Sequence, residues 1–170
     1  MAEQLRLTLA CGDYDINLGL VTGRVGVAGV ELVALTMASP ERHWRLMRHQ
    51  EFDICELSLA SYVMVRDRRE LPYVAVPVFP HRRFRHSYLF VNPASGITEP
   101  KQLEGRRVGL RTWQTTAGLW MRGILEDAYG VDIRAVEWIT QDEEDIALDP
   151  PAGFKLRRVQ AGEKVDSLLE

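Results

Sequence analysis

VPVFPHRRFRHSYLFVN, residues 76–92, is the stretch around which the rest of the chain is read. An alternating apolar run, Val74, Val76 and Val78, is stopped by Pro80. A cationic cluster follows: His81, Arg82, Arg83, Arg85 and His86. A second strand-like run over residues 87–91 then leads to the turn signal Asn92-Pro93. Arginines beside two histidines, held between two extended segments, form an anion site with a proton donor or acceptor built in. A solvated basic turn between two strands is the plainer alternative. Similar strand–helix units precede and follow the stretch, so it is expected to mark a crossing between two lobes.

Working back toward the N-terminus, Leu5, Leu7 and Leu9 alternate with polar residues, the period of a strand with one buried face. That strand runs into Cys11-Gly12-Asp13-Tyr14-Asp15. The motif suits either a ligand-facing loop at a strand's carboxyl end or a turn in which Asp13 or Asp15 caps a helix. Three glycines mark residues 21–29 as loop, and residues 30–35 as a second strand. Ser39-Pro40-Glu41 predicts a helix start with Ser39 as the cap, and Trp44, Leu46 and Met47 its apolar face. His43 and His49 are expected at the surface or an edge. Residues 52–57 read as a strand. Ser58-Leu59-Ala60-Ser61-Tyr62 then opens a helix to about residue 68, where the serines serve an anion or simply cap. Pro72 precedes a predicted strand over residues 74–79.

Downstream of the central stretch, residues 92–96 read as a loop and residues 99–105 as a helical turn stopped by Gly105. Residues 107–110 form a strand. Arg111-Thr112-Trp113-Gln114-Thr115-Thr116 leads into a helix to about residue 128. Thr115 and Thr116 form a second candidate anion cradle, since capping alone explains only one of them. Trp120, Ile124 and Leu125 recur at helical spacing and are expected in the core. Residues 131–140, with Trp138, read as a strand. The acidic run 141–145, continuing to Pro150-Pro151, reads as a solvated linker, because it lacks cation-ligand spacing. Residues 161–170 begin a helix that breaks off.

The 170 residues suit one large domain or two small lobes, with 46% apolar and 26% charged residues. A net charge of −3 and local arginine clusters give no reason to expect nucleic acid. Cys11 and Cys55 are too few for a disulfide scaffold and read as buried reduced thiols. No signal peptide is recognised and no run reaches the ~18 apolar residues of a membrane span, so a cytoplasmic location is expected. The sequence lacks a dinucleotide fingerprint, a Walker loop, zinc-ligand spacing and a nucleophile elbow, and no metal or organic cofactor is expected.

These parts assemble into an α/β chain of two βα lobes with a ligand cleft between them: residues 1–86, a crossing over 87–102, and residues 103–170. The run from Lys101 to Leu110, KQLEGRRVGL, resembles the second-lobe entry of type II periplasmic-binding-protein-like folds. LACGDYD (9–15), FDICELSLASY (52–62) and PVFPHRRFRHS (77–87) together resemble the 4,5-dihydroxyphthalate decarboxylase family. The resemblance implies a carboxy-lyase converting 4,5-dihydroxyphthalate to protocatechuate and carbon dioxide without a cofactor. It also implies that the second lobe is incomplete, since the chain's ending resembles a point inside that lobe, and self-association is then expected. A non-catalytic binding protein of ABC-transporter type, for a small organic anion, is the alternative. For the decarboxylase, Arg85 or Arg83 is expected to clamp one carboxylate. Ser58, Ser61, Thr115 and Thr116, with Tyr62 and Arg111, are expected to hold the second. His86 is expected to donate the proton, and Asp13 or Asp15 to orient it or accept from a phenol.

Overall fold

The computed structural model describes residues 4–68, 72–149 and 151–168. They divide into two units, Met1–Arg83 and Phe84–Glu170. In the first, β1 (Leu5–Cys11) is the centre of a three-stranded sheet, flanked by β2 (Val30–Thr36) and β3 (Ile54–Cys55). Both pairings are parallel, with Leu5 opposite Val30 and Ala10 opposite both Leu35 and Cys55. Parallel neighbours need a crossover, and a short helix α1 (Leu18–Val21) and the longer α2 (Ser39–His49) lie on the two connections. Burial deepens along β1 toward its carboxyl end, where Ala10 packs with Leu46 and Phe52.

Helix α2 starts one residue earlier than its sequence suggests. Ala38 is extended and its carbonyl accepts the Arg42 N–H at 3.1 Å, so the cap is Ala38 and Ser39 is already helical. The helix ends at Gln50, which adopts φ 53° and returns its N–H to the Leu46 carbonyl at 3.0 Å.

His43 departs from its expected surface position. It is half-buried, and its Nε2 is enclosed with no hydrogen-bond partner among the described residues. Burial, and then the positive charge of Arg42, push its pKa down from 6.5 to about 4. The unfolded chain therefore binds a proton between those values that the folded chain refuses. Stability is full above pH 6.5 and is lost as pH falls toward 4, by about 3 kcal/mol at ~1.4 kcal/mol per pH unit. Urea midpoints at pH 7 and pH 4.5 are expected to show this loss in the wild-type chain and to lack it in His43→Leu. Parallel pH profiles in the two proteins would assign the acid sensitivity elsewhere.

β3 is shorter than the predicted strand over 52–57. The Asp53 carboxylate takes the Thr8 N–H (2.8 Å) and the Thr8 hydroxyl (2.7 Å), so a side chain stands where a strand carbonyl would continue the ladder. α3 (Leu59–Arg68) follows and buries Ala60, Ser61 and Val65.

The runs expected as strands over 74–79 and 87–91 are not strands. A strand is defined by its ladder partner, and among the described residues neither run has one. Pro77 also removes a donor from the first run. Val74 and Phe90 are each 76% exposed, and Phe84 92%. Ala75 N–H donates to the Tyr62 hydroxyl at 3.1 Å, and His86–Tyr88 closes into a 3₁₀ turn.

In the second unit β5 (Glu137–Thr140) lies between β4 (Arg107–Leu110) and β6 (Lys155–Arg158), all parallel. α4 (Thr116–Asp127) connects β4 to β5. β5 begins later than the predicted strand at 131. Residues 132–135 form a turn, closed by Ala135 N–H to Asp132 O at 3.0 Å, and the Trp138 indole N–H bonds Ile133 O at 2.8 Å. β6 is polar and was not apparent from pattern; Arg157 reaches Glu137 at 2.8 Å across the strand pair.

The core gathers Trp138, Leu125, Val131 and Val136, with Trp113 edge-on to Trp138 at 5.8 Å. α4 buries Gly118, Met121, Arg122 and Leu125, and leaves Trp120, expected inside, 54% exposed.

Candidate functional site

Parallel pairing of β1 and β3 brings Gly12 and Glu56 together just past their carboxyl ends. Glu56 N–H donates to Ala10 O at 2.9 Å, and Gly12 N–H donates to Glu56 Oε2 at 3.0 Å. Arg42, 2% exposed on α2, gives one guanidinium nitrogen to the Met37 carbonyl at 2.6 Å and the other to Glu56 Oε2 at 2.5 Å. The second carboxylate oxygen, Oε1, accepts the Tyr14 hydroxyl at 2.9 Å. That hydroxyl also lies 3.4 Å from Arg42 Nη2 and 3.3 Å from His81 Nδ1. The result is a chain of polar groups running from a buried cation, through a carboxylate and a phenol, to an exposed imidazole.

Local sequence explains how Tyr14 reaches Glu56. Asn17 braces the loop, donating to Gly12 O at 2.9 Å and accepting from Tyr14 N–H at 3.2 Å. Gly12 leaves room for the returning ring, since a Cβ there would sit 2.5 Å from the Tyr14 hydroxyl. Burial, and then the hydrogen bond to Glu56, push the Tyr14 pKa up, so the phenol stays protonated and serves as a donor. Burial also raises Cys11, and pushes Cys55 up to about 12, which keeps both free thiols unreactive near neutrality.

The second unit has its own carboxylate cradle, and the chain fills it. Glu144 accepts from Trp113 N–H at 2.6 Å and from Gln114 N–H at 3.0 Å, ahead of α4. Beneath it Arg122 is 5% exposed, bonds Trp113 O at 2.9 Å and lies 3.6 Å over the Trp113 ring. Burial lowers the Arg122 pKa to about 10, opposed by the charge of Glu144. The acidic run 141–145 is therefore not a free linker: Asp142 also holds Arg111 at 2.7 Å, and Glu143 holds Arg158 at 2.9 Å. No cluster of three His, Cys, Asp or Glu side chains among the described residues is placed to hold a metal ion.

A family model for the periplasmic phosphonate substrate-binding protein of ABC transporters matches residues 24–148. A 4,5-dihydroxyphthalate decarboxylase of Comamonas testosteroni is 38% identical over 98% of the chain, and one of Pseudomonas putida 35% identical over the same share. The chain belongs to the 4,5-dihydroxyphthalate decarboxylase family. The type II periplasmic-binding-protein-like fold agrees with the parallel sheets and with the resemblance carried by residues 101–110, and the family with the resemblance carried by residues 9–15, 52–62 and 77–87. The chain spans about half the length of the Comamonas relative, 52%, and 67% of the Pseudomonas one.

Of the residues that sequence singled out in this family member, Asp13, Ser58, Ser61, Tyr62 and Arg83 lie in the first unit. Asp13 is exposed beside Tyr14, Ser58 is half-buried ahead of α3, and Ser61 is buried in its first turn. The Tyr62 hydroxyl oxygen accepts the Ala75 N–H at 3.1 Å, and Arg83 is exposed. The second unit holds Arg85, His86, Arg111, Thr115 and Thr116. Arg85 lies 5.0 Å over the Tyr88 ring, and His86 meets the Tyr129 ring edge-on at 6.3 Å. Thr115 caps α4, accepting from Gly118 N–H at 3.3 Å, and Thr116 is the first helical residue.

Tyr14, Arg42, Glu56 and Glu144 were not recognised as a site from sequence. The available signal was positional: Gly12 and Glu56 each follow an apolar strand at its carboxyl end. Arg42 had none, because it reads as an ordinary helix-surface arginine.

Proposed function

We propose that the chain serves in the decarboxylation of 4,5-dihydroxyphthalate to protocatechuate and carbon dioxide, with no metal or organic cofactor. The observation that carries this is the alignment of 98% of the chain, site loops included, with two proteins named for that activity. The chemistry asks for a proton at the ring carbon that bears the carboxylate. The hydroxyl para to it feeds electron density into the ring, a C–H bond forms, and the carboxylate leaves as carbon dioxide while its bonding pair restores aromaticity. A protein that performs this needs clamps for two adjacent carboxylates and a general acid. In this reading Arg83 and Arg85 are the cationic clamps. Ser58, Ser61, Tyr62, Arg111, Thr115 and Thr116 provide hydroxyls, a helix start and a further cation. Asp13 accepts from a ring phenol.

A second reading, anion binding without turnover, is favoured by the substrate-binding description of the matching family model. A proton NMR time course of the chain with 4,5-dihydroxyphthalate separates the two. Growth of protocatechuate resonances supports the decarboxylase. Ligand broadening with no product supports binding alone, and unchanged ligand signals would remove both.

A further inference from the structure

We propose that His81 is the proton donor of this site and that Tyr14, backed by Glu56, is the residue that positions it. The assignment rests on the decarboxylase reading above and deepens it.

The Glu56 carboxylate, ion-paired with Arg42, offers acceptors only, and an arginine has donors only. The Tyr14 hydroxyl has one hydrogen and sits 2.9 Å from Glu56 Oε1, 3.4 Å from Arg42 Nη2 and 3.3 Å from His81 Nδ1. Its hydrogen goes to the nearest and strongest acceptor, the carboxylate. The phenol oxygen then has lone pairs left, one facing the Arg42 donor and one facing His81. A lone pair facing Nδ1 is satisfied when Nδ1 carries its hydrogen. This selects the Nδ1–H tautomer of neutral His81 and makes Nε2 the nitrogen that gains and loses the working proton. The Tyr14 and His81 rings, 54° apart with centroids at 5.4 Å, hold that orientation while the imidazole itself remains exposed to a ligand.

The pair behind Tyr14 is rigid for a separate reason. Arg42 is bonded at both of its terminal nitrogens, and Glu56 is held by Arg42, Gly12 N–H and Tyr14 together. His86, to which sequence assigns the donor role, meets the edge of Tyr129 among the described residues, a contact that leaves its tautomer unset. In the reaction, the Nε2–H proton of the imidazolium passes to the carboxylate-bearing ring carbon, whose new C–H bond takes its electron pair from the ring. Carbon dioxide leaves, its bonding pair returns to the ring, and neutral His81 recovers a proton from water.

The experiment compares wild type, His81→Gln, Tyr14→Phe and Glu56→Gln in 4,5-dihydroxyphthalate turnover, alongside ¹⁵N NMR of the histidine ring nitrogens. His81→Gln is expected to lose about 10²–10⁴-fold in kcat with KM little changed, the usual share of a general acid. Tyr14→Phe and Glu56→Gln are expected to lower kcat less, again sparing KM. Wild-type His81 is expected to show the Nδ1–H tautomer, and Tyr14→Phe to scramble it. His81→Gln with near wild-type kcat, or an Nε2–H tautomer in the wild-type chain, overturns the assignment while leaving the decarboxylase standing. A wild-type chain without turnover overturns the decarboxylase reading, and the donor role falls with it.

Discussion

Glu56→Ala is expected to destabilise the first unit by about 3–5 kcal/mol, the cost of leaving a buried charge without its partner. Arg42 has 2% of its side chain exposed and cannot turn to water when the carboxylate is removed. Gly12 N–H and the Tyr14 hydroxyl lose their acceptor in the same step. A loss of that size is a large share of the ~5–15 kcal/mol that holds a typical domain folded. Urea denaturation of wild type, Glu56→Ala, Arg42→Leu and the double variant measures it. The double variant is expected to recover much of the loss, because two apolar side chains leave no charge stranded. A single-variant loss under ~1 kcal/mol would mean that water reaches Arg42, and would remove the reason for treating Glu56 as a rigid support for Tyr14.

Glu144→Ala is the second large effect, expected to cost about 3 kcal/mol. Two backbone N–H groups, of Trp113 and Gln114, bond this carboxylate, and hydrogen bonds to a charged group contribute ~1.5–3 kcal/mol each. Water entering the vacated space restores part of that. Arg122 also loses the negative charge that opposes its desolvation, while its Nη1 is already without a partner among the described residues. Glu144→Gln is expected to recover about half, since the amide oxygen still accepts one N–H but carries no charge. Thermal unfolding of the three proteins distinguishes these cases. An Ala variant as stable as wild type would return residues 141–145 to the solvated linker that their composition suggests.

The contrast between these two carboxylates explains what could be read in advance. Alternation in Leu5, Leu7 and Leu9, the Ser39-Pro40-Glu41 start, and the Thr115-Thr116 opening of α4 are local signals. Each is set within a single turn or strand, so the elements they announce are present, α2 starting one residue early. The family was legible too, from residues 9–15, 52–62 and 77–87.

Residues 74–79 and 87–91 failed because a strand needs a partner, and alternating valines specify a face without specifying what pairs with it. Residues 141–145 failed for the opposite reason. Their charge predicts solvation, but two N–H groups some thirty residues away are a better acceptor site than water for Glu144. Arg42 and Glu56 lie on a helix and a strand end, and nothing in either segment names the other.

Sequence by itself therefore determined the α/β class, the parallel βα order and the family, all set by short-range periodicity, capping and motif. Tertiary structure decided the rest. Which carboxylate meets which guanidinium, which tyrosine turns back through Gly12, and which histidine it touches depend on parallel register. That register is a long-range pairing, and no local pattern encodes it.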